Sequence, residues 1–229
     1  MKTILIFIDW FLPGYKAGGP IRSYANLLDH FKGGYNFYIV TRDTDYTETQ
    51  PYKGITPNTW TQHDTNVHIW YCSTGYPSRS NFKKLIDQIS WDVLYINGIY
   101  SWKFSILPLL IARKQRKGRI IVSVRGMLRQ SAVNVKQGKK KLFLQLAKAF
   151  GLYKGITLHA TNNEEKQDIL ENIGNNAQVH VAPNLPRKAN QEWQPREKKH
   201  GSLQLISIAR IAPEKNTLYA LEALHHFTN

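Results

Sequence analysis

Short apolar runs alternate with amphipathic stretches along most of the chain, up to about position 181. Residues 3–8 form a continuous apolar run after Thr3, the signature of a strand buried on both faces. A segment rich in Gly and Pro follows, to Gly19. Pro20 then stands where a helix tolerates it, in the first turn, and Ile21, Tyr24, Leu27, Leu28 and Phe31 supply the apolar face. Gly33 and Gly34 end that helix. Residues 35–41 and 67–71 read as further strands. Residues 42–64 between them are polar, contain Pro51, Gly54 and Pro57, and show no period, so a long mobile loop is expected.

The alternation continues. Helices are expected at 81–89, at 102–114 with a kink at Pro108, and at 137–150. Strands are expected at 92–96, 119–124, 156–160 and 179–181. A helix starts at Thr161 or Asn162, with Glu164 or Glu165 completing a capping box. Apolar strands interleaved with helices predict an α/β fold: a Rossmann-like, mostly parallel sheet with helices on both faces. Ligands in such folds gather at the carboxyl ends of strands, here after Ile8, Ile96, Val124 and Ala160. The polar stretch 187–201, with Pro195, reads as a linker between a domain at 1–186 and the start of a second at 202–229. A strand and a helix cannot bury a core, so the second domain is expected to be incomplete here.

Composition narrows the class. The chain has 229 residues, 42% hydrophobic and 21% charged, which suits a packed domain and not a disordered one. No apolar stretch approaches the roughly 18 residues that would span a bilayer. The apolar start is cut short by Asp9, Pro13 and Gly14 and lacks a small-residue cleavage site, so it reads as a strand and not a leader. Cys72 is the one cysteine, so no disulfide can form within the chain, which favours the cytoplasm. No Cys/His spacing suggests zinc. The net charge is +15, and from Val93 to Asn163 there is no Asp or Glu. Such a field attracts polyanions: nucleic acid, anionic lipid or a phosphorylated substrate.

Candidate chemistry sits in the loops. Residues 207–216 read S-I-A-R-I-A-P-E-K-N and place Arg210 and Lys215 beside a helix start. Helix N-termini favour anions, so the two cations form either a diphosphate clamp or a solvated pair. Gly18 and Gly19 open the first helix without a G-x-G-x-x-G dinucleotide pattern. Close backbone approach there suits a phosphate, and an anion would offset the cost of Arg22 in the first turn. Arg125 and Gly126 end one strand. An arginine cannot act as a base at neutral pH, but it can stabilise a leaving diphosphate. Asn97 ends another strand, as a ligand contact or a helix cap. Asp9 stands at the edge of the first loop and could contact a ligand, and His159 reads as a packed residue of its strand. The 137–150 helix carries Leu142, Phe143, Leu146, Ala149 and Phe150 on one face and Lys140, Lys141 and Lys148 on the other. It could pack inward or lie on an anionic bilayer.

Ser207, Arg210 and Lys215 resemble the S-R-x4-K-G signature of retaining family 4 glycosyltransferases, with Asn216 in the place of Gly. The resemblance extends to Gly18 and Gly19, which match the family's glycine pair, and to Arg125-Gly126-Met127-Leu128. There Arg125 replaces the His of many members, a form similar to a branch acting on bacterial surface polysaccharides. The resemblance implies a GT-B fold and a hexosyltransferase using a nucleotide-diphosphate sugar, with no metal or other cofactor. It implies that Gly18, Gly19, Arg210 and Lys215 bind the donor diphosphate and that Arg125 is catalytic. It also implies an acceptor, a glycan or lipid-linked molecule, on Asp9, Arg22, Asn97 and Gly126, with the protein cytoplasmic or peripheral on the inner membrane. The family's paired-glutamate donor motif would lie past Asn229, so this chain alone is expected to be inactive. The rival expectations are a basic module for nucleic acid or anionic membrane and a nucleotide-sugar epimerase of similar fold. RNP-like, zinc and helix-turn-helix signatures are missing, which disfavours nucleic acid.

Overall fold

The computed structural model describes residues 1–115, 117–129, 137–188, 200–201, 205–207 and 216–227. Met1–Lys188 form one compact unit and Ala189–Asn229 a second.

In the first unit the elements run β1 (Lys2–Phe7), α1 (Gly19–Phe31), β2 (Tyr35–Arg42), β3 (Trp60–Asp64), β4 (Val67–Cys72), α2 (Arg79–Gln88) and β5 (Val93–Asn97). A π-helical turn (Trp102–Ile106) then leads into α3 (Leu107–Gln115), followed by β6 (Arg119–Ser123), α4 (Gln137–Ala149), β7 (Thr157–Ala160), α5 (Asn163–Ile173) and β8 (Gln178–Val181). Eight strands make one sheet in the order β3-β4-β2-β1-β5-β6-β7-β8. All pairings are parallel except β3 with β4. This is the Rossmann-like α/β architecture expected from the alternation.

β1 is central because its side chains can be buried on both sides. Leu5 and Phe7 join a core with Phe82, Leu85 and Phe104, whereas Ile6 and Ile8 join one with Ile21, Tyr24 and Leu28 of α1. All four β1-end side chains are essentially inaccessible. Each such burial contributes about 1.5–3 kcal/mol. The chain builds outward from β1 on one side through β2 and β4, then returns to the other side with β5. The loops after β1 and β5 therefore part at a topological switch point, where such sheets open a crevice.

Four expectations need correction. Residues 42–64 are not a free loop. Their end forms β3, whose Trp60 packs against Tyr38 and Trp70 with ring centroids 5.1 and 5.3 Å apart. Their start is pinned by the buried Asp43 and Asp45. The Asp45 carboxylate accepts hydrogen bonds from the amides of Tyr15, Lys16 and Tyr46. The 102–114 helix begins as a wide turn, with the Ile106 amide reaching Ser101 O at 2.9 Å. The α-helical pattern takes over at Leu107, next to Pro108, which has no N–H to give.

In α4 the inward residues are Leu144 and Ala147, with Phe143 against Tyr100. Leu142, Leu146 and Phe150 point outward, so the longest apolar stripe of this helix is not its core face. Glu165 does more than cap a helix, as described below. In the second unit, α6 spans Thr217–Phe227 and leaves Leu218, Tyr219 and Leu221 exposed. Residues 205–207 carry no strand, and the rest of the strand expected at 203–206 lies outside the described residues. No helix among the described residues is long and apolar enough to cross a membrane.

Candidate functional site

The switch point holds a charged cluster built from three strand ends. Asp9 follows β1, Arg42 ends β2, and Ser101 lies in the loop after β5. Arg42 Nη2 donates to Asp9 Oδ1 at 2.9 Å, and Ser101 Oγ donates to the same oxygen at 2.8 Å. The Arg42 guanidinium lies 5.2 Å from the Trp10 ring centroid and 4.9 Å from that of Phe104. A guanidinium between two rings is held in one orientation, by cation–π attraction as well as by its carboxylate. Arg42 Nε is nonetheless buried without a hydrogen-bond partner. So is Oδ1 of Asn97, a residue 7% exposed beside this cluster. Unpartnered buried polar atoms are costly and mark places where a ligand or water completes the bonding.

A second cluster lies at the ends of β5, β6 and β7. Arg125 has φ 59°, an uncommon backbone for a side chain with a Cβ. Its guanidinium sits 4.8 Å from the centroid of Tyr24, and Nη1 donates to Asn184 Oδ1 at 2.5 Å. Arg125 Nε and Tyr24 Oη are buried without partners. The next residue, Gly126, donates its amide to Glu165 Oε1 at 2.6 Å. Glu165 Oε2 accepts from the amide and hydroxyl of Thr161. The Glu165 amide is in turn capped by Asn162 Oδ1. This residue is 2% exposed. Burial pushes its pKa up, but the bonds from Thr161 and Gly126 outweigh that and hold it below the ordinary carboxylate value. A charged carboxylate therefore locks the Arg125 loop to the start of α5.

His159 is half-buried and bonded on both sides, not simply packed. Nε2 lies 2.8 Å from Ala182 O, and Nδ1 lies 2.7 Å from Tyr95 Oη and 3.2 Å from Ser123 Oγ. A carbonyl only accepts, so Nε2 carries the proton and Nδ1 accepts from a hydroxyl. Burial lowers the His159 pKa, and the nearby Arg125 lowers it further, so the ring is neutral at pH 7.

Gly18 is the N-cap of α1 with φ 78°, and no side chain caps that end. Neither Gly18 nor Gly19 has an atom within 4 Å of where a Cβ would stand, so the backbone is open to a ligand. Arg22 is exposed in the first turn, away from both clusters' hydrogen bonds. The structure thus brings Asp9 and Asn97 together at the switch point, and Arg125 and Gly126 at the adjacent strand ends. The loops of these two groups touch: the Gly98 amide donates to Ser123 O at 2.8 Å. Arg210 and Lys215 lie outside the described residues. Sequence reading missed Arg42, Ser101, Tyr24, Tyr95, Glu165 and Asn184. The available signals were an arginine ending an apolar strand and tyrosines on otherwise apolar faces. No group of three His, Cys, Asp or Glu among the described residues is arranged to hold a metal ion.

No protein-family model matches this sequence, and no curated protein matches it. Among solved structures, the chain is similar to sucrose-phosphate synthase from Thermosynechococcus elongatus, at 14% identity and a TM-score of 0.55. That likeness covers 80% of this chain and 48% of that one, so the chain spans about half the length of that enzyme. The NAD+ complex of the Bordetella bronchiseptica enzyme WbmH is matched at 11% identity and a TM-score of 0.35, over 69% of this chain and 54% of that one. A short-chain dehydrogenase/reductase oxidoreductase from Burkholderia thailandensis gives 11% and 0.36, over 70% and 67%. Scores that low carry no inference. The first likeness shows a shared fold: this chain has a Rossmann-like α/β architecture of the kind found in GT-B glycosyltransferases.

Proposed function

We propose that Met1–Lys188 is the acceptor-binding lobe of a retaining GT-B hexosyltransferase of family 4 type. It would take a sugar from a nucleotide-diphosphate donor and place it on a glycan or lipid-linked acceptor in bacterial surface polysaccharide synthesis. The observation that carries this reading is the convergence at the switch point. The N-terminus of α1, uncapped at Gly18, follows the loop after β1, and the strand ends of the same sheet carry the oriented Asp9–Arg42 pair and Arg125, whose guanidinium lies over Tyr24 of α1.

The roles follow from the chemistry. Breaking the bond between sugar and diphosphate leaves negative charge on the departing phosphate. Arg210 and Lys215 neutralise it without a metal, and the open amides at Gly18 and Gly19 are suited to phosphate in their own right. Arg125 adds a permanent cation near the reacting centre. Asp9, oriented by Arg42 and Ser101, accepts a hydrogen bond from an acceptor hydroxyl, and Asn97 and Gly126 line the same side. A dinucleotide oxidoreductase needs a short glycine turn leading from the first strand into the first helix. Here residues 8–18 intervene between β1 and α1, which disfavours that rival.

The test is ligand-observed NMR on the 229-residue chain with UDP, GDP, ADP and dTDP, their sugars, and NAD+. Binding of a nucleoside diphosphate should survive EDTA and weaken at least about tenfold in the Arg210→Ala/Lys215→Ala variant. Tight NAD+ binding that ignores those two substitutions would overturn the reading in favour of an epimerase or dehydrogenase.

A further inference from the structure

Aromatic rings gather at the β3 edge of the sheet, with β4 and β2 between them and the switch point at β1. The strand register sets Trp60 opposite Trp70, Gln62 opposite His68 and His68 opposite Tyr38, so these side chains share one face. Tyr38 stacks on His68 with ring centroids 5.0 Å apart and planes 20° apart, and it meets Trp60 at 87°. Tyr76, in the segment before α2, closes on Trp70 at 5.5 Å. None of these rings is fully buried; each keeps part of its surface in water. The core rings Phe37, Phe82 and Phe104 are wholly inaccessible by contrast. Gln62 is exposed beside the cluster, and its amide makes no hydrogen bond among the described residues. Trp70 Nε1 is an unmet donor within the cluster. A shielded indole N–H normally has a partner.

We propose that this shelf binds a neutral oligosaccharide, at a place separate from the switch point. A sugar ring offers C–H faces that pack on aromatic rings and a rim of hydroxyls that both donate and accept hydrogen bonds. The shelf supplies the complement. Tyr38, Trp60 and Tyr76 give aromatic surface, the Gln62 amide and the His68 imidazole donate and accept, and Trp70 Nε1 is a donor still to be met. Charge selects this occupant. The chain carries a net charge of +15, but its acid-free run from Val93 to Asn163 falls on β5, β6 and β7, in the other half of the sheet. The charged residue that ends β3, Asp64, is already paired with Lys32 at 2.8 Å. A polyanion would therefore seek the far side of the molecule and not this shelf. A purely apolar partner would leave Gln62 and Trp70 Nε1 without hydrogen bonds. Binding here requires no sugar transfer, so the proposal stands or falls apart from the reading above.

The test is fluorine NMR of the 229-residue chain labelled with fluorotryptophan and titrated with cellohexaose, maltohexaose, laminarihexaose and mannohexaose. Trp60→Phe, and the same change at each other tryptophan in turn, assigns the lines. The Trp60 and Trp70 lines should move with at least one of these sugars, and the line of Trp91, in the core, should not. Gln62→Ala, an exposed change that breaks no hydrogen bond, should weaken that binding about threefold. Trp60→Leu removes a ring and should weaken it at least about tenfold. A Trp91 line at its wild-type position shows that the core of the Trp60→Leu variant is intact. Movement confined to Trp10 or Trp102 would place the sugar at the switch point, which overturns this proposal and leaves the glycosyltransferase reading standing. It would also be overturned if no line moved with any of the sugars, or if both variants bound as wild type does. The same holds if the Trp60 and Trp70 lines answered to oligothymidylate or to protein concentration and not to sugar, because the shelf would then stack bases or a second copy.

Discussion

Glu165 Oε1 accepts the amide proton of Gly126 at 2.6 Å, across 39 residues of sequence. That bond ties the loop carrying Arg125 to the first turn of α5. Removing the carboxylate by Glu165→Ala leaves three half-buried donors unpaired: the Gly126 amide and the Thr161 amide and hydroxyl. The expected loss is about 2–4 kcal/mol in urea unfolding. Glu165→Gln keeps one carbonyl oxygen and should lose less. The pH dependence follows from the lowered folded-state pKa. The unfolded carboxyl binds a proton first, near its ordinary value of 4.5. The stabilisation is therefore complete above that value and is lost as pH falls through the lower folded-state pKa. Wild type should lose stability across this acid range more steeply than Glu165→Gln. Equal slopes would show that the carboxylate is not the group responsible.

Arg125 combines a positive φ with a side chain held by Tyr24 and Asn184. Two substitutions separate backbone from side chain. Arg125→Ala and Arg125→Gly both remove the stacking and the hydrogen bond. Only Gly adopts the backbone without strain, so Arg125→Gly should be more stable than Arg125→Ala by about 1 kcal/mol. Both should weaken binding of inorganic phosphate or a nucleoside diphosphate, if Arg125 serves as proposed. Matching unfolding midpoints for the two variants would refute the strain argument.

The expected fold was legible because its signals are local. Apolar runs of strand length alternate with helix-length periods, and β1 shows its two-sided burial in residues 3–8 alone. Aromatic contacts between distant positions were not legible. β3 exists because Trp60 finds Tyr38 and Trp70, and no window around residue 60 contains that information. The orientation of the α4 apolar stripe was left open for a related reason. Leu142, Leu146 and Phe150 look like core by hydropathy, but only the neighbours of a helix decide which of its faces is covered. At the candidate site, Asp9, Asn97, Arg125 and Gly126 could be picked out from the sequence because they stand at strand ends of a parallel sheet. Arg42, Ser101 and Glu165 were missed because each acts through a partner at least 33 positions away.

The Asp9–Arg42 pair should be coupled. Their side chains are 14% and 30% exposed, so water screens the pair only in part. Asp9→Ala leaves the Arg42 guanidinium among rings without its carboxylate. Arg42→Met leaves Asp9 with Ser101 alone. A double-mutant cycle in urea should give a coupling of about 1–2 kcal/mol. A coupling indistinguishable from zero would mean that Trp10 and Phe104 hold Arg42 without help, and that Asp9 is free to be reoriented by a ligand.

His159 should contribute to stability in the opposite half of the neutral range from a salt-bridged histidine. Its folded-state pKa lies below the ordinary 6.5, first through burial. The unfolded ring therefore takes up a proton that the folded ring resists. Stability is complete above about 6.5 and falls as pH drops toward the folded-state pKa. The ring carbon protons of His159 should titrate below the ordinary value of 6.5 in NMR. His159→Gln should reduce the stability difference between pH 7.5 and pH 5.5. A His159 resonance that titrates at or above the ordinary value would contradict the neutral, Nε2-protonated ring.

Gly14 and Gly18 lie on the same loop but resist substitution for different reasons. A Cβ at Gly14 would stand 2.3 Å from Tyr52 Oη and 2.8 Å from Asp45 Oδ1. Tyr52 and Asp45 are the contacts that seat residues 43–52 on the loop after β1. Gly14→Ala should therefore cost about 1–3 kcal/mol and expose residues 43–58 to protease. At Gly18 there is room for a Cβ, but φ is 78°. Gly18→Ala should cost about 1 kcal/mol through backbone strain and leave the 43–58 segment as protected as in wild type. Limited proteolysis read by mass spectrometry distinguishes the two. Cleavage within 43–58 in both variants would mean that the two halves of this loop move as one unit, and that Asp45 does not hold its segment independently of the α1 N-terminus.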